Sequence, residues 1–366
     1  MKKTVLLLTA TFLFSVGLVA FLFFYTTQKS FLNNFVRKIR PHALGPTKLL
    51  DLRYANFYFA GTSDKKIYLG NANSPLHVFA SDPQLTDTLL MKMSPMHDSL
   101  KLLMARVGIA HNMLYLFDGG TPAIYQSLPK KGAVLRSHTH NKIFFTDAVP
   151  IGPKTFALRI YDRISRQYML AREVLTDSIS LTPAPGILQK QVDGIFCTDG
   201  SLLYDSTASR LLYIYRYRNE FICMDTSMNI LYRANTIDTT THARIEVDTI
   251  RSDGSITLKS PPAVVNRMAC MDSQWLFVNS NLMADNEDRR AADQAVTIDV
   301  YRLEDGKYQF SFYLPDLGGE RMYNFGAAHG NLYVLYGHNL VRYTLDPGHF
   351  RKRESGDPKA TKKLTQ

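Results

Sequence analysis

Three histidines recur at one position of a repeated pattern: His111 in Ala-His-Asn, His140 in Thr-His-Asn and His329 in Ala-His-Gly, each four residues before an aromatic (Tyr115, Phe144, Tyr333). Imidazoles converging from separate segments could hold a metal ion or an anion, and His138-Thr139-His140 would place two of them on one face of a strand. The same positions have a plainer explanation, because His, Asn and Gly are residues that a tight hairpin with positive φ selects. Nothing beside them supplies the carboxylate partners of ligating histidines. We therefore assign no metal, no cofactor-binding residue and no catalytic residue from this pattern.

Two other groups could do chemistry. Asp285-Asn286-Glu287-Asp288-Arg289-Arg290 packs carboxylates as a glycosidase would, yet it falls in a polar insertion between two strands. The expected role is a solvated loop and a point of contact with a partner. Cys197, Cys223 and Cys270 lie 26 and 47 residues apart with no C-x-x-C among them, which excludes a zinc or redox framework. They read as small apolar fillers of strands, and spacing does not choose a disulfide among them. G-x-S-x-G, H-E-x-x-H, the P-loop, the dinucleotide fingerprint and EF-hand spacing are all missing.

The elements around these residues are short aromatic and β-branched runs with period two, broken by Gly, Asn, Asp or Pro, the pattern of antiparallel strands. An apolar-aromatic-apolar element recurs six times, at 66–69, 113–116, 142–145, 211–214, 275–278 and 331–334. A second alternating run follows at 76–79, 123–125, 156–161, 221–224, 296–301 and 340–343, and Asp305-Gly306 marks a tight turn into a third. Pro95 to Val107 is the best helical stretch, or else a loop ending in a strand. About 300 residues divided among six copies give units of roughly 50, the size of one β-propeller blade. The fold expected is all-β, a β-propeller of six blades, or seven if the hairpin in Ala243 to Lys259 begins another.

The net charge of +11 first suggests nucleic acid. Residues 1–48 carry seven basic and no acidic residues, residues 351–366 six against two, and residues 49–350 balance at 30 each. A nucleic-acid groove needs its charge on the folded domain, so that partner is disfavoured. Thr4 to Tyr25 is an uncharged run of 22 residues. As a helix it is about 33 Å long, enough for a hydrocarbon layer of about 30 Å. Cleavage after Ser15-Val16-Gly17 would leave Leu18 to Tyr25 as a greasy terminus, which favours an uncleaved anchor over a signal peptide. The expected organisation is a transmembrane signal-anchor at 1–27, a basic connector at 28–48 with a short helix at Phe31 to Ile39, a propeller at 49–350 and a disordered basic tail at 351–366. The protein is placed in the inner membrane by one span with its main domain periplasmic, the alternative being secretion after cleavage.

The blade rhythm, with stretches such as IDVYRLEDGKYQFSFYLP and NLYVLYGHNLVRYTL, resembles the membrane-anchored or secreted six-bladed propellers of Bacteroidota, the TolB-like and NHL-like group. The resemblance covers roughly Leu49 to Asp346. It implies an extracytoplasmic domain for binding or scaffolding and transfers no functional residue. The function expected is a non-enzymatic, membrane-anchored module for a protein, peptide or glycan partner. The alternative is a propeller hydrolase or lyase with its site at the channel mouth.

Overall fold

The computed structural model describes residues 2–28, 33–95, 101–139, 143–175, 179–252 and 254–350. The first described element is the helix Lys2–Gln28, with Lys3–Phe21 apolar and long enough to cross a membrane and none of it buried against the rest of the chain. Nearly everything else is antiparallel strand, and among the described residues the strands group into six four-stranded meanders.

The first unit is Phe57–Thr62, Ile67–Asn71, His77–Ser81 and Thr88–Lys92, and the second is Ala105–Ala110, Met113–Asp118, Ala123–Ser127 and Val134–Thr139. The third runs Phe145–Gly152, Thr155–Asp162, Gln167–Leu175 and Ile179–Ala184, the fourth Gly200–Asp205, Arg210–Tyr215, Glu220–Met224 and Ile230–Asn235. The fifth is Asn266–Asp272, Trp275–Ser280, Ala295–Arg302 and Tyr308–Pro315. The sixth takes Asn324–Ala328, Asn331–Tyr336 and Asn339–Leu345 from the C-terminal side, and its outermost strand, Leu44–Asp51, from the N-terminal side. That pairing closes a ring with the first and last parts of the fold, so no unit has to be held by one covalent connection alone.

The first strands of successive units touch one another in order and return from the sixth to the first. Where two of them come closest they pair directly, Gly61 with Ile109. Only glycine fits there: φ is +134° and a Cβ would lie 2.1 Å from the Ile109 carbonyl oxygen. The apolar-aromatic-apolar repeat is the second strand in five units, fully buried at Leu69, Leu114, Leu212, Leu276 and Leu332. The copy at 142–145 belongs elsewhere, since Phe145 opens the first strand of the third unit and the second strand is Thr155–Asp162.

Tyrosine supplies both packing and cross-links. Tyr115 Oη donates to the Pro153 carbonyl of the third unit at 3.0 Å, Tyr232 Oη to Leu303 of the fifth at 2.6 Å, and Tyr333 Oη to Pro83 of the first at 3.0 Å. A phenol fills the apolar gap between sheets and still reaches a backbone acceptor on the neighbour. This accounts for 20 Tyr against one Trp.

Three expectations are corrected. The hairpin Val247–Thr249 with Ile256–Leu258 is a two-stranded ribbon between the fourth and fifth units, resting on Phe196 and Tyr217, and builds no further unit. Residues 101–104 are irregular before the strand Ala105–Ala110, so the helical reading of this stretch fails where it is described. Residues 33–43 form no helix. They run as an extended strap along the fifth unit, with Arg40 N donating to Ser311 O and Ser311 N to Lys38 O; the Arg40 amide and the Lys38 carbonyl thus serve another element and cannot close helical turns.

Candidate functional site

Each unit is an antiparallel meander, so the turns after its first and third strands emerge on one face of the ring and the connections after its second and fourth strands on the other. We call these the turn face and the loop face. Between them runs a cavity of about 1520 Å³ lined by the first strands of all six units.

At the turn face the mouth carries Asp64, His111, Tyr204, Asp205, Asp272 and His329. His111 and Asn112 have φ of 51° and 57°, His329 and Gly330 54° and 70°, the two-residue geometry of a hairpin turn with both central residues left-handed. The histidines do not converge. His329 Nε2 lies 2.9 Å from both Thr62 Oγ1 and Ser63 O, joining the sixth unit to the first. His111 packs its ring 6.0 Å from that of Tyr204, and burial lowers its pKa. His140 lies outside the described residues, and His138 is placed only by its backbone, opposite Ile124. Carboxylates at this mouth also work as cross-links: Asp205 Oδ2 accepts Ser273 N at 2.6 Å and Asp272 Oδ2 accepts Gly330 N at 3.1 Å. No group of three or more His, Cys, Asp or Glu among the described residues is arranged to hold a metal ion.

At the loop face the mouth carries Arg106, Asp147, Arg216 and Arg267. Sequence reasoning missed this set, because the four residues are scattered over 160 positions with no shared motif. Arg216 O accepts the amides of Val265 and Asn266, which seats it beside Arg267. Arg106 lies over the Tyr58 ring at 4.9 Å, and Arg267 Nε donates to Asn281 Oδ1 at 2.6 Å. None of these three arginines is within ion-pair distance of a carboxylate among the described residues. Asp147 accepts Leu202 N at 2.9 Å through Oδ2 and Ala148 N at 3.0 Å through Oδ1; burial raises its pKa, opposed by the Leu202 amide and the charge of Arg106. The wall between the mouths is largely apolar and includes Cys270, whose thiol burial pushes up. All three cysteines are free and buried. Cys197 lies in a turn closed by Asp193, not in a strand.

The carboxylate run at 285–290 is not a free contact loop. Asp285 Oδ1 accepts Asn33 N at 2.7 Å, and Asn286 exchanges two 2.9 Å bonds with the Arg37 backbone. Asp288 caps the short helix Arg289–Asp293. The Arg37 guanidinium is enclosed: Nε and Nη2 reach the two Asp299 oxygens at 2.7 and 2.9 Å, while Nη1 bonds Glu287 and the Leu282 carbonyl. Neither Arg37 nor Glu287 exposes any side-chain surface. The partner of this loop is the chain's own strap.

The ring is a β-propeller. Among solved structures, the chain is similar to a member of the DUF4221 family from Bacteroides vulgatus, at 13% identity and a TM-score of 0.51 over 86% of this chain and 99% of that one. It is also similar to virginiamycin B lyase from Staphylococcus aureus (12%, TM-score 0.47, 82% and 100% covered) and to the propeller domain of Nup133 from Vanderwaltozyma polyspora (10%, 0.43, 82% and 100%). These likenesses concern the fold alone. No family model matches the chain, and no curated protein does.

Proposed function

We propose that the protein is a membrane-tethered propeller that binds a peptide or glycan segment of a partner in its central channel, without catalysing a reaction. The channel carries this reading. At about 1520 Å³ it exceeds the roughly 300–1,000 Å³ of a small-molecule pocket, and among the described residues its mouths offer polar and aromatic groups without a convergent acid, base and nucleophile. The helix Lys2–Gln28 serves in this reading as a single uncleaved span of the inner membrane, with the propeller periplasmic. The likeness in strand rhythm to TolB-like and NHL-like propellers of Bacteroidota belongs to the same reading.

The test is photo-crosslinking in intact cells with a photoreactive residue at Ser206, exposed at the turn-face mouth. The expected result is a discrete adduct that disappears when Ser201→Trp narrows the channel. An adduct unaffected by the plug, or none at all, would overturn channel binding. Protease cleavage of a C-terminal tag after opening the outer barrier alone checks the address; cleavage only after inner-membrane lysis would place the domain in the cytoplasm.

A further inference from the structure

We propose that the loop face of the propeller lies on the lipid surface, with the connections of the first four units entering the headgroup layer. This rests on the reading of Lys2–Gln28 as a membrane span.

The tether sets the geometry. Asn33 is fixed to the loop face: its Nδ2 donates to Met283 O, its N to Asp285 Oδ1, and its O accepts from Thr239 Oγ1, each at 2.7 Å. Five peptide steps separate Gln28 from Asn33 and span at most about 18 Å. A helix crossing the bilayer therefore holds this face, and not the turn face, within about 18 Å of the helix end.

The surface presented there has the matching chemistry. Tyr54, Leu103, Phe144, Ile164, Val192 and Ile250 stand exposed in loop-face connections, Ile164 at 95% and Tyr54 in the connection that leads from the sixth unit into the first. Among the described turns of the opposite face, Leu128 is the one large apolar side chain so exposed. Several of these tips are flanked by arginine: Arg53 precedes Tyr54, Arg163 and Arg166 bracket Ile164, and Arg251 follows Ile250. The Arg163 guanidinium also lies 5.6 Å from the centre of the Phe144 ring. Apolar tips between cations suit an interface in which hydrocarbon and anionic phosphate lie a few ångströms apart. The tips are also built. Asp162 accepts Ile164 N at 3.3 Å and Ser165 N at 2.9 Å, and Asp118 accepts Leu103 N at 2.7 Å. Under the fifth and sixth units the same face shows Asp285, Asp288, Asp293 and Glu320 exposed, whereas among the described connections of the first four the exposed carboxylates are Glu246 and Asp248, near Ile250; the lipid contact is therefore assigned to the first four. The ligand channel then opens to the compartment through the turn-face mouth.

Depth-dependent quenching tests this with the full chain in vesicles of phosphatidylcholine and phosphatidylglycerol with brominated acyl chains. Native Trp275 opens a strand at the turn face and is the built-in reference. Ile164→Trp reports the loop face and Phe14→Trp the helix. Strong quenching of Phe14→Trp, with the added Ile164→Trp emission quenched severalfold more than Trp275, is expected. Quenched Phe14→Trp with Ile164→Trp no different from Trp275 would overturn the docked face and leave the anchor standing. Unquenched Phe14→Trp would remove the anchor reading, and the docked face with it.

Discussion

Arg37 and Arg267 both belong to the fifth unit's surroundings, and the protein uses them in opposite ways. Arg37 is enclosed, with Asp299 bidentate on one edge and Glu287 with the Leu282 carbonyl on the other. Arg267 stands exposed at the channel mouth, with one bond to Asn281. A buried guanidinium with four of its five donors bonded is a lock; one with donors to spare beside an open cavity can still receive a ligand. The difference separates the residues that hold the strap and the ring from those free to meet a partner.

The largest effect is expected at the lock. Arg37→Ala leaves Glu287 and Asp299 buried without their cation, and breaking such a pair typically costs about 3–5 kcal/mol. Chemical denaturation of the full chain should show a loss of this size. Because the strap joins the helix to the fifth unit, limited proteolysis should also begin within residues 33–43. An unchanged midpoint would mean that the enclosed pair is not what holds the strap.

Glu173 is a buried charge-bearing group of the opposite sign. It lies fully buried in the third strand of the third unit, and burial pushes its carboxyl from 4.5 up to about 7. The native state thus keeps a proton that the unfolded chain loses near pH 4.5. Stability contributed by this group is intact below that value, falls as pH rises toward 7, and is flat above. About 2.5 pKa units correspond to roughly 3 kcal/mol across the window. Melting temperatures measured between pH 4 and 8 should decline for the native sequence and decline less for Glu173→Gln, where among the described residues only the remaining raised carboxylate, Asp147, still loses its proton.

The ring was legible in the sequence because its logic is local. The second strands repeat an apolar-aromatic-apolar run, and the Asp305-Gly306 turn, with Gly306 at φ 69°, joins the two long strands expected of it. The third unit broke the rhythm since its second strand sets Phe156 between Thr155 and Ala157, where the others set an aromatic after a leucine or isoleucine. The strap and the loop-face mouth were illegible for a different reason. Arg37 meets Asp299 across 262 residues, and Arg106, Arg216 and Arg267 reach one cavity from three different units. Residue type announced charge in each case, but neither composition nor period says which arginine is buried.

Between the two extremes lie the tyrosine cross-links. Tyr333 is fully buried, stacks on Phe59 of the first unit with ring centres 6.1 Å apart, and bonds Pro83 O. Tyr333→Phe keeps the stacking and removes the bond, so a loss of about 1 kcal/mol is expected in thermal melts. A loss no larger than the error would assign the junction between the sixth and first units to packing alone.

The smallest effect on stability is expected where the effect on binding is largest. Arg267→Ala removes an exposed side chain with no ion pair among the described residues, so denaturation midpoints should move by no more than about 0.5 kcal/mol. Any anionic group of a ligand that reaches through the channel would lose a charged hydrogen bond, and such bonds contribute about 1.5–3 kcal/mol, a fall in affinity of roughly tenfold or more. Measuring stability and crosslinking yield on the same variant separates lock from receptor. If Arg267→Ala unfolds the protein as Arg37→Ala does, the two arginines are not used differently, and the mouth is a structural seam instead of a binding surface.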